Sequence, residues 1–196
     1  TDLVSEADAP KGWRDLLNPK FRGRIALADP TKSPHAYIVL LTMMDALGSD
    51  PAIIGQMADQ LNGRIIGSSA EQIKALSDGA YAVTATFEEP VLKYITSDAH
   101  MKIVYPEEGT TVSSTGIAII KNAPHTDNAK KFLDFAMSRQ VHERLGTYEF
   151  RSTRADVSAP SNLRPLSEIH YTRFDTQRAV SFRDEFLSKW RAAVIK

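Results

Sequence analysis

One stretch decides the fold: Arg22-Gly-Arg-Ile-Ala-Leu-Ala-Asp-Pro-Thr-Lys-Ser-Pro-His-Ala-Tyr37. Its apolar run Ile25–Ala28 is typical of a short buried strand. Ser33 and Pro34 then occupy the two positions that favour a helix start, the N-cap and the first helical residue. The helix should end at Gly48, because glycine readily adopts the left-handed conformation found after helix ends. The stretch therefore predicts a strand, a polar turn and a helix.

The predicted helix is apolar on almost every side, which indicates a buried helix and not one that lies on the surface. Its N-terminus presents amides and a partial positive charge, a combination that favours anions. Because proline has no N–H, the available amides are expected to be those of Ser33, His35, Ala36 and Tyr37. Two interpretations stay open: an anion site, or a helix start that Ser33 merely caps beside a solvated Lys32.

The composition excludes several classes of protein. The 196 residues suffice for one large domain or two small ones, and 24 Lys and Arg balance 24 Asp and Glu. This balance offers no bulk charge for nucleic acid. The absence of cysteine excludes disulfides and thiolate metal sites. No signal peptide follows Thr1, so we expect a cytosolic, an already matured or a fragmentary chain.

Strands and helices are predicted to alternate as far as Tyr105. Ser69-Ala-Glu-Gln72 has the form of a capping box, and the near-continuous apolar run 80–86 follows its helix. A strand of this kind, reached through a crossover helix, indicates a mostly parallel sheet covered on both faces, and hence an α/β fold. The elements predicted here are helices 51–61, 69–77 and 87–95, and strands 64–66, 80–86 and 101–105.

Beyond Pro106 the sequence is first polar and rich in small residues, which predicts a hinge or crossing segment over 107–116. A further buried strand, two helices and an irregular stretch are expected before a last helix that Asp175 caps. Their predicted ranges are 116–121 for the strand, 124–137 and 138–145 for the helices, and 147–174 for the irregular stretch.

The segment Trp13-Arg-Asp-Leu-Leu-Asn-Pro-Lys-Phe-Arg-Gly-Arg-Ile-Ala-Leu-Ala-Asp-Pro30 closely resembles family 1 extracellular solute-binding proteins of ABC importers. These are type 2 periplasmic binding proteins, grouped with the ferric-ion binders. Three further matches follow in the same order: Asp78-Gly-Ala-Tyr-Ala-Val, Tyr105-Pro-Glu-Glu-Gly-Thr, and Gly116-Ile-Ala-Ile-Ile-Lys with Ala129-Lys-Lys-Phe-Leu-Asp-Phe.

The resemblance implies two α/β lobes joined by crossing strands, with the ligand between them. It assigns residues 1–9 to a linker, 10–106 to the second lobe, 107–116 to the hinge crossing and 117–196 to the C-terminal part of the first lobe. The opening units of that first lobe have no counterpart, so the chain resembles the C-terminal portion of a longer protein. Residues from about 110 onward should then leave apolar surface bare.

The resemblance also implies a periplasmic protein that binds a small anionic solute, such as a phosphorylated sugar or a phosphonate, and delivers it to an ABC permease in the inner membrane. We expect no nucleic-acid partner and no cofactor, and a monomer when the protein is intact. The residues expected to bind the solute are Thr31, Ser33, His35 and Ala36 at one end, and Thr86 and Glu88 at the other. Glu89 is expected only to cap the helix that follows.

Three alternatives are kept. The ferric-ion binders of the family use adjacent tyrosines, and the matching segment Thr84-Ala-Thr-Phe-Glu-Glu-Pro90 has none, so no metal ligand is assigned. A sensor that signals to a membrane kinase would share the fold. An enzyme on an α/β scaffold is the third, although phosphate-binding P-loop, nucleophile-elbow and dinucleotide motifs are absent from the sequence.

Overall fold

The structure is a computed structural model that describes residues 3–95 and 100–195. Residues 1 and 2 of the predicted linker lie outside the described residues, as does Lys196. The helices are α1 Pro34–Ala46, α2 Ala52–Leu61, α3 Ser69–Ser77, α4 Glu88–Ile95, α5 Thr126–Ala136, α6 Arg139–Gly146 and α7 Thr176–Val194. The strands are β1 Ile25–Ala26, β2 Val83–Thr84, β3 Thr110–Val112 and β4 Tyr171–Arg173.

Side-chain caps fix the helix starts close to where the sequence predicts them. Ser33 Oγ accepts a hydrogen bond from the N–H of Ala36 at 3.2 Å, and Asp175 accepts one from Arg178 at 2.9 Å. Gly48, just beyond α1, has a φ of +96°, the left-handed conformation expected there. The predicted range of α3 is confirmed, but its predicted cap is off by one residue, because Ser68 caps this helix and not Ser69.

The described residues form two small parallel strand pairs. β1 pairs with β2 in the register Ile25–Val83 and Ala26–Thr84, and Ala28 forms a single parallel bridge with Ile66. β3 pairs with β4 from Thr110–Tyr171 to Val112–Arg173. Three predicted strands are therefore shorter than expected: 25–28, 64–66 and 80–86. β4 also gives regular structure to part of the stretch that was predicted to be irregular.

Two predicted strands are wrong. Residues 101–105 and 116–121 are not strands in this structure, and most of the second segment is exposed, with Ile120 at 79%. An apolar, β-branched run becomes a strand only where a second strand pairs with it, and neither segment has such a neighbour among the described residues. The predicted burial of 116–121 is wrong as well, because an apolar pattern shows neither whether a second strand pairs with the segment nor whether another element covers it.

The chain forms two compact units, Thr1–Val112 with Ile169–Lys196, and Ser113–Glu168. In the first unit, α2 packs against α7, and the buried Tyr37 of α1 donates from its hydroxyl to the carbonyl oxygen of Ala179 in α7 at 2.6 Å. The rings of Tyr37 and Phe186 also meet edge to face, with centroids 5.0 Å apart. α7 therefore completes the core around α1. The resemblance groups α7 with α5 and α6, as parts of residues 117–196.

The second unit consists mainly of α5 and α6, which pack on each other. Phe132 and Phe135 of α5 are 59% and 60% exposed, and Met137, just beyond α5, and Leu145 of α6 are exposed as well. The apolar surface expected beyond residue 110 is thus present. The assignment of these parts to lobes of a larger protein stays a prediction.

Candidate functional site

Three helices of the first unit begin at the same edge of its strands. α1 follows β1, α3 follows the bridge residue Ile66, and α4 follows β2. Because these strands are parallel, their carboxyl ends lie at one edge, which is where open α/β sheets bind ligands. This edge also carries the residues predicted to bind a solute.

The turn before α1 is held by Asp29. Its Oδ1 accepts from the N–H of Thr31 at 2.9 Å and from Thr31 Oγ1 at 2.8 Å. Its carbonyl oxygen accepts from the N–H groups of Lys32 and Ser33 at 3.0 and 2.8 Å. The Thr31 hydroxyl therefore donates within its own turn and can only accept from a solute in this arrangement.

The backbone amides at the start of α1 are mostly paired. The N–H of Ser33 donates to Asp29, that of Ala36 to Ser33 Oγ, and that of Tyr37 to the carbonyl oxygen of Ser33. Within the part of the chain that the structure describes, the N–H of His35 has no acceptor. The expected group of four available amides is therefore reduced to one.

Ser69, which the sequence predicts to be an N-cap, instead contacts the predicted site residue Ser33. Ser68 caps α3, and the hydroxyl of Ser69 forms a 2.7 Å hydrogen bond with the buried hydroxyl of Ser33. The Ser68-Ser69 doublet is the one sequence signal for this residue, because only one of two adjacent serines can occupy the N-cap. The bond joins the N-termini of α1 and α3.

The other predicted half of the site adjoins α1. The exposed ring of His35 meets the ring of Phe87 edge to face, with centroids 5.0 Å apart. Phe87 lies between the predicted residues Thr86 and Glu88, and the hydroxyl of Tyr105 donates to Glu88 Oε1. The structure thus brings the 31–36 turn and the 86–88 loop together. Phe87 and Tyr105, like Ser69, are contacts that the sequence did not predict.

Two cavities lie away from this edge. One of about 530 Å³ is in the second unit, between α6 and residues 156–162, and one of about 240 Å³ lies beside Leu17 and Gln60. Among residues 3–95 and 100–195, no three His, Asp or Glu side chains are grouped as a metal site would require. No helix in those ranges combines the length and apolar character needed to cross a membrane.

The sequence matches the profile of bacterial extracellular solute-binding proteins over residues 1–176. The chain belongs to this family. Its fold is that of the type 2 periplasmic binding proteins, as shown by the solved structure of AfuA from Actinobacillus pleuropneumoniae with fructose-6-phosphate bound. That structure superposes with a TM-score of 0.81 at 25% identity, covering 95% of this chain and 60% of AfuA.

Two curated relatives extend the comparison. An uncharacterized protein of Haemophilus influenzae is 26% identical over 93% of this chain, and a putative 2-aminoethylphosphonate-binding periplasmic protein of Salmonella typhi is 24% identical over 76% of it. The chain covers 55% and 47% of these two relatives. It thus spans about half the length of the curated relatives that it matches.

Proposed function

We propose that this chain is part of the periplasmic solute-binding component of an ABC importer, and that it binds a small anionic solute without transforming it. The observation that carries the proposal is the meeting of three helix N-termini, α1, α3 and α4, at one carboxyl edge. α1 and α3 supply the N–H of His35 and the hydroxyls of Ser33 and Ser69, and such donors favour phosphate and phosphonate groups. α4 begins with Glu88 and Glu89 and therefore supplies acceptors for the other end of the solute.

The site residues have different roles in binding the solute. The N–H of His35 and the hydroxyls of Ser33 and Ser69 hold the anionic group, and Thr31 accepts from the solute. Glu88 accepts from a hydroxyl or an amine at the other end of the solute, with Thr86 beside it. The Ala36 amide contributes indirectly, because its bond to Ser33 orients the Ser33 hydroxyl.

The chain spans only part of its relatives, so the surface at this edge is proposed to be one wall of a cleft. The bare apolar surface of the second unit supports this proposal, because a monomeric domain rarely leaves such residues uncovered. Closure of two lobes around the solute would then produce the form that a permease in the inner membrane recognises. The intact protein would act as a periplasmic monomer.

The experiment is a calorimetric titration with fructose 6-phosphate, 2-aminoethylphosphonate, inorganic phosphate and ferric ion. The proposal predicts binding of at least one anion and no consumption of it. Binding of ferric ion alone would favour the iron-transport alternative. Turnover of the phosphate ester that a single substitution abolishes would favour an enzyme and contradict the proposal. To separate transport from sensing, the loaded protein is tested for binding to permease or to a membrane kinase.

A further inference from the structure

Gln72 is a buried polar residue whose side chain reaches the edge where the candidate site lies. It belongs to α3 and is only 2% exposed. Its Oε1 accepts from the N–H of Ala28 at 3.0 Å, and its Nε2 donates to Thr84 Oγ1 at 2.7 Å and to the carbonyl oxygen of Ala85 at 2.8 Å. All three partner residues lie at the end of the β1–β2 pair or just beyond it.

These bonds lie where the backbone pairing of β1 and β2 stops. The last registered pair is Ala26–Thr84, and beyond it Ala28 pairs with Ile66 on its other side. A side-chain amide offers both an acceptor and donors, so it can stand between two backbones as a peptide group would. Thr84 Oγ1 extends the connection by donating to the carbonyl oxygen of Ala26 at 2.9 Å. Gln72 therefore joins the two strands after their own ladder has ended.

The two backbones that Gln72 joins lead directly into the two halves of the site. Ala28 leads into the turn that contains Ser33 and His35, and Ala85 leads into the 86–88 loop. The helix that carries Gln72 also supplies Ser69, whose hydroxyl bonds to Ser33. One buried side chain is thus connected to all three segments that form the edge.

We propose that Gln72 is a positioning residue for the solute site: its amide sets the spacing between the 31–36 turn and the 86–88 loop. The inference rests on the proposed function, since it takes this edge to be the solute site. Gln72 does not contact the solute itself. Without its amide, the N–H of Ala28 and the carbonyl oxygen of Ala85 would be buried and unpaired, so both segments would move to find new partners.

The test compares Gln72→Met with Gln60→Met. Gln60 is a matched control, because it is a buried glutamine of the same unit whose Oε1 has no hydrogen-bond partner among the described residues. The first readout is the NMR shift of the His35 ring protons, which the adjoining Phe87 ring displaces. The second is the affinity for inorganic phosphate and 2-aminoethylphosphonate, and the third is stability to urea.

In Gln72→Met, we expect the His35 ring-proton signals to lose the displacement that the Phe87 ring causes. We also expect this variant to bind inorganic phosphate and 2-aminoethylphosphonate about tenfold more weakly, whereas Gln60→Met keeps the wild-type signals and affinity. A purely structural role would lower stability to urea and leave the His35 shift of the folded protein unchanged. A folded Gln72→Met protein with wild-type His35 shifts would overturn the inference.

Failure of the proposed function is distinguishable from failure of this inference. If the wild-type chain binds neither probe, the proposed function fails, yet the His35 shift still decides the role of Gln72 because it needs no ligand. If Gln72→Met does not fold, Thr84→Val takes its place, since it removes one acceptor of the Gln72 amide and keeps the side-chain shape. In Thr84→Val, the His35 signal should move in the direction expected for Gln72→Met, but by a smaller amount. An unchanged His35 signal would overturn the inference.

Discussion

At the scale of single residues, Ser33 has two functions. Its oxygen caps α1 through the N–H of Ala36, and its hydroxyl shares a 2.7 Å hydrogen bond with Ser69. Two hydroxyl groups carry two protons and use one of them in the bond between them. One proton therefore stays available to donate to a solute oxygen.

Ser33→Ala should lower the free energy of unfolding by about 1 kcal/mol, because it removes the cap of a buried helix. Ser69→Ala is the matched control: Ser68 caps α3, so its effect on stability should be clearly smaller. Urea unfolding measures both values. Equal losses in the two variants would show that the cap at Ser33 does not contribute as described.

Glu108 gives a prediction about pH. Its carboxylate accepts from the N–H groups of Trp13 and Arg14, both at 2.9 Å. Burial raises the pKa of Glu108, but the backbone N–H groups that donate to it lower it more, so the net pKa lies below its ordinary value of 4.5. The unfolded chain then binds this proton more readily than the folded one. This contribution to stability is present above pH 4.5 and is lost as the pH falls through the folded pKa.

Glu108→Gln should therefore flatten the fall in unfolding free energy below pH 4.5 and lower stability at neutral pH. Glu107→Gln, at the exposed neighbouring position, is the control and should leave the profile close to that of the wild type. The measurement is urea unfolding across a pH series. A wild-type profile in Glu108→Gln would contradict the assigned hydrogen bonds.

At the scale of elements, the helices were predicted well and the strands poorly. Helix starts and ends depend on nearby residues such as Ser33, Gly48 and Asp175, so the sequence itself carries the signal. A strand depends on a partner distant in sequence, and this is why the apolar run 116–121 was misassigned. The same limit applies to the site: the Ser33 turn was predicted, but its contacts with Ser69 and Phe87 connect separate segments.

Tyr37→Phe tests how α7 is held on α1. The change removes the hydroxyl that donates to the carbonyl oxygen of Ala179 and keeps the ring against Phe186. We expect a loss of about 1 kcal/mol in the free energy of unfolding. Tyr148→Phe, at a residue that is 55% exposed, should change it little. Equal values for the two variants would mean that the α1–α7 hydrogen bond adds nothing.

At the scale of the whole molecule, the exposed phenylalanines of α5 predict that the 196-residue chain has an apolar surface patch that binds other apolar molecules. Phe132→Gln with Phe135→Gln should reduce binding of an apolar dye and change the free energy of unfolding by less than about 0.5 kcal/mol. Phe186→Gln is the buried contrast and should destabilise the protein by about 3 kcal/mol or more. Unchanged dye binding in the double variant would contradict this assignment of the surface.

An anionic solute is proposed to bind where α1, α3 and α4 begin. The most direct test is a titration of the isotope-labelled chain with 2-aminoethylphosphonate or inorganic phosphate, followed by NMR of its backbone amides. We expect the largest shifts at Ser33, His35, Ser69 and Phe87. Largest shifts around the cavity beside α6, or a spectrum that responds to ferric ion and to neither anion, would contradict it.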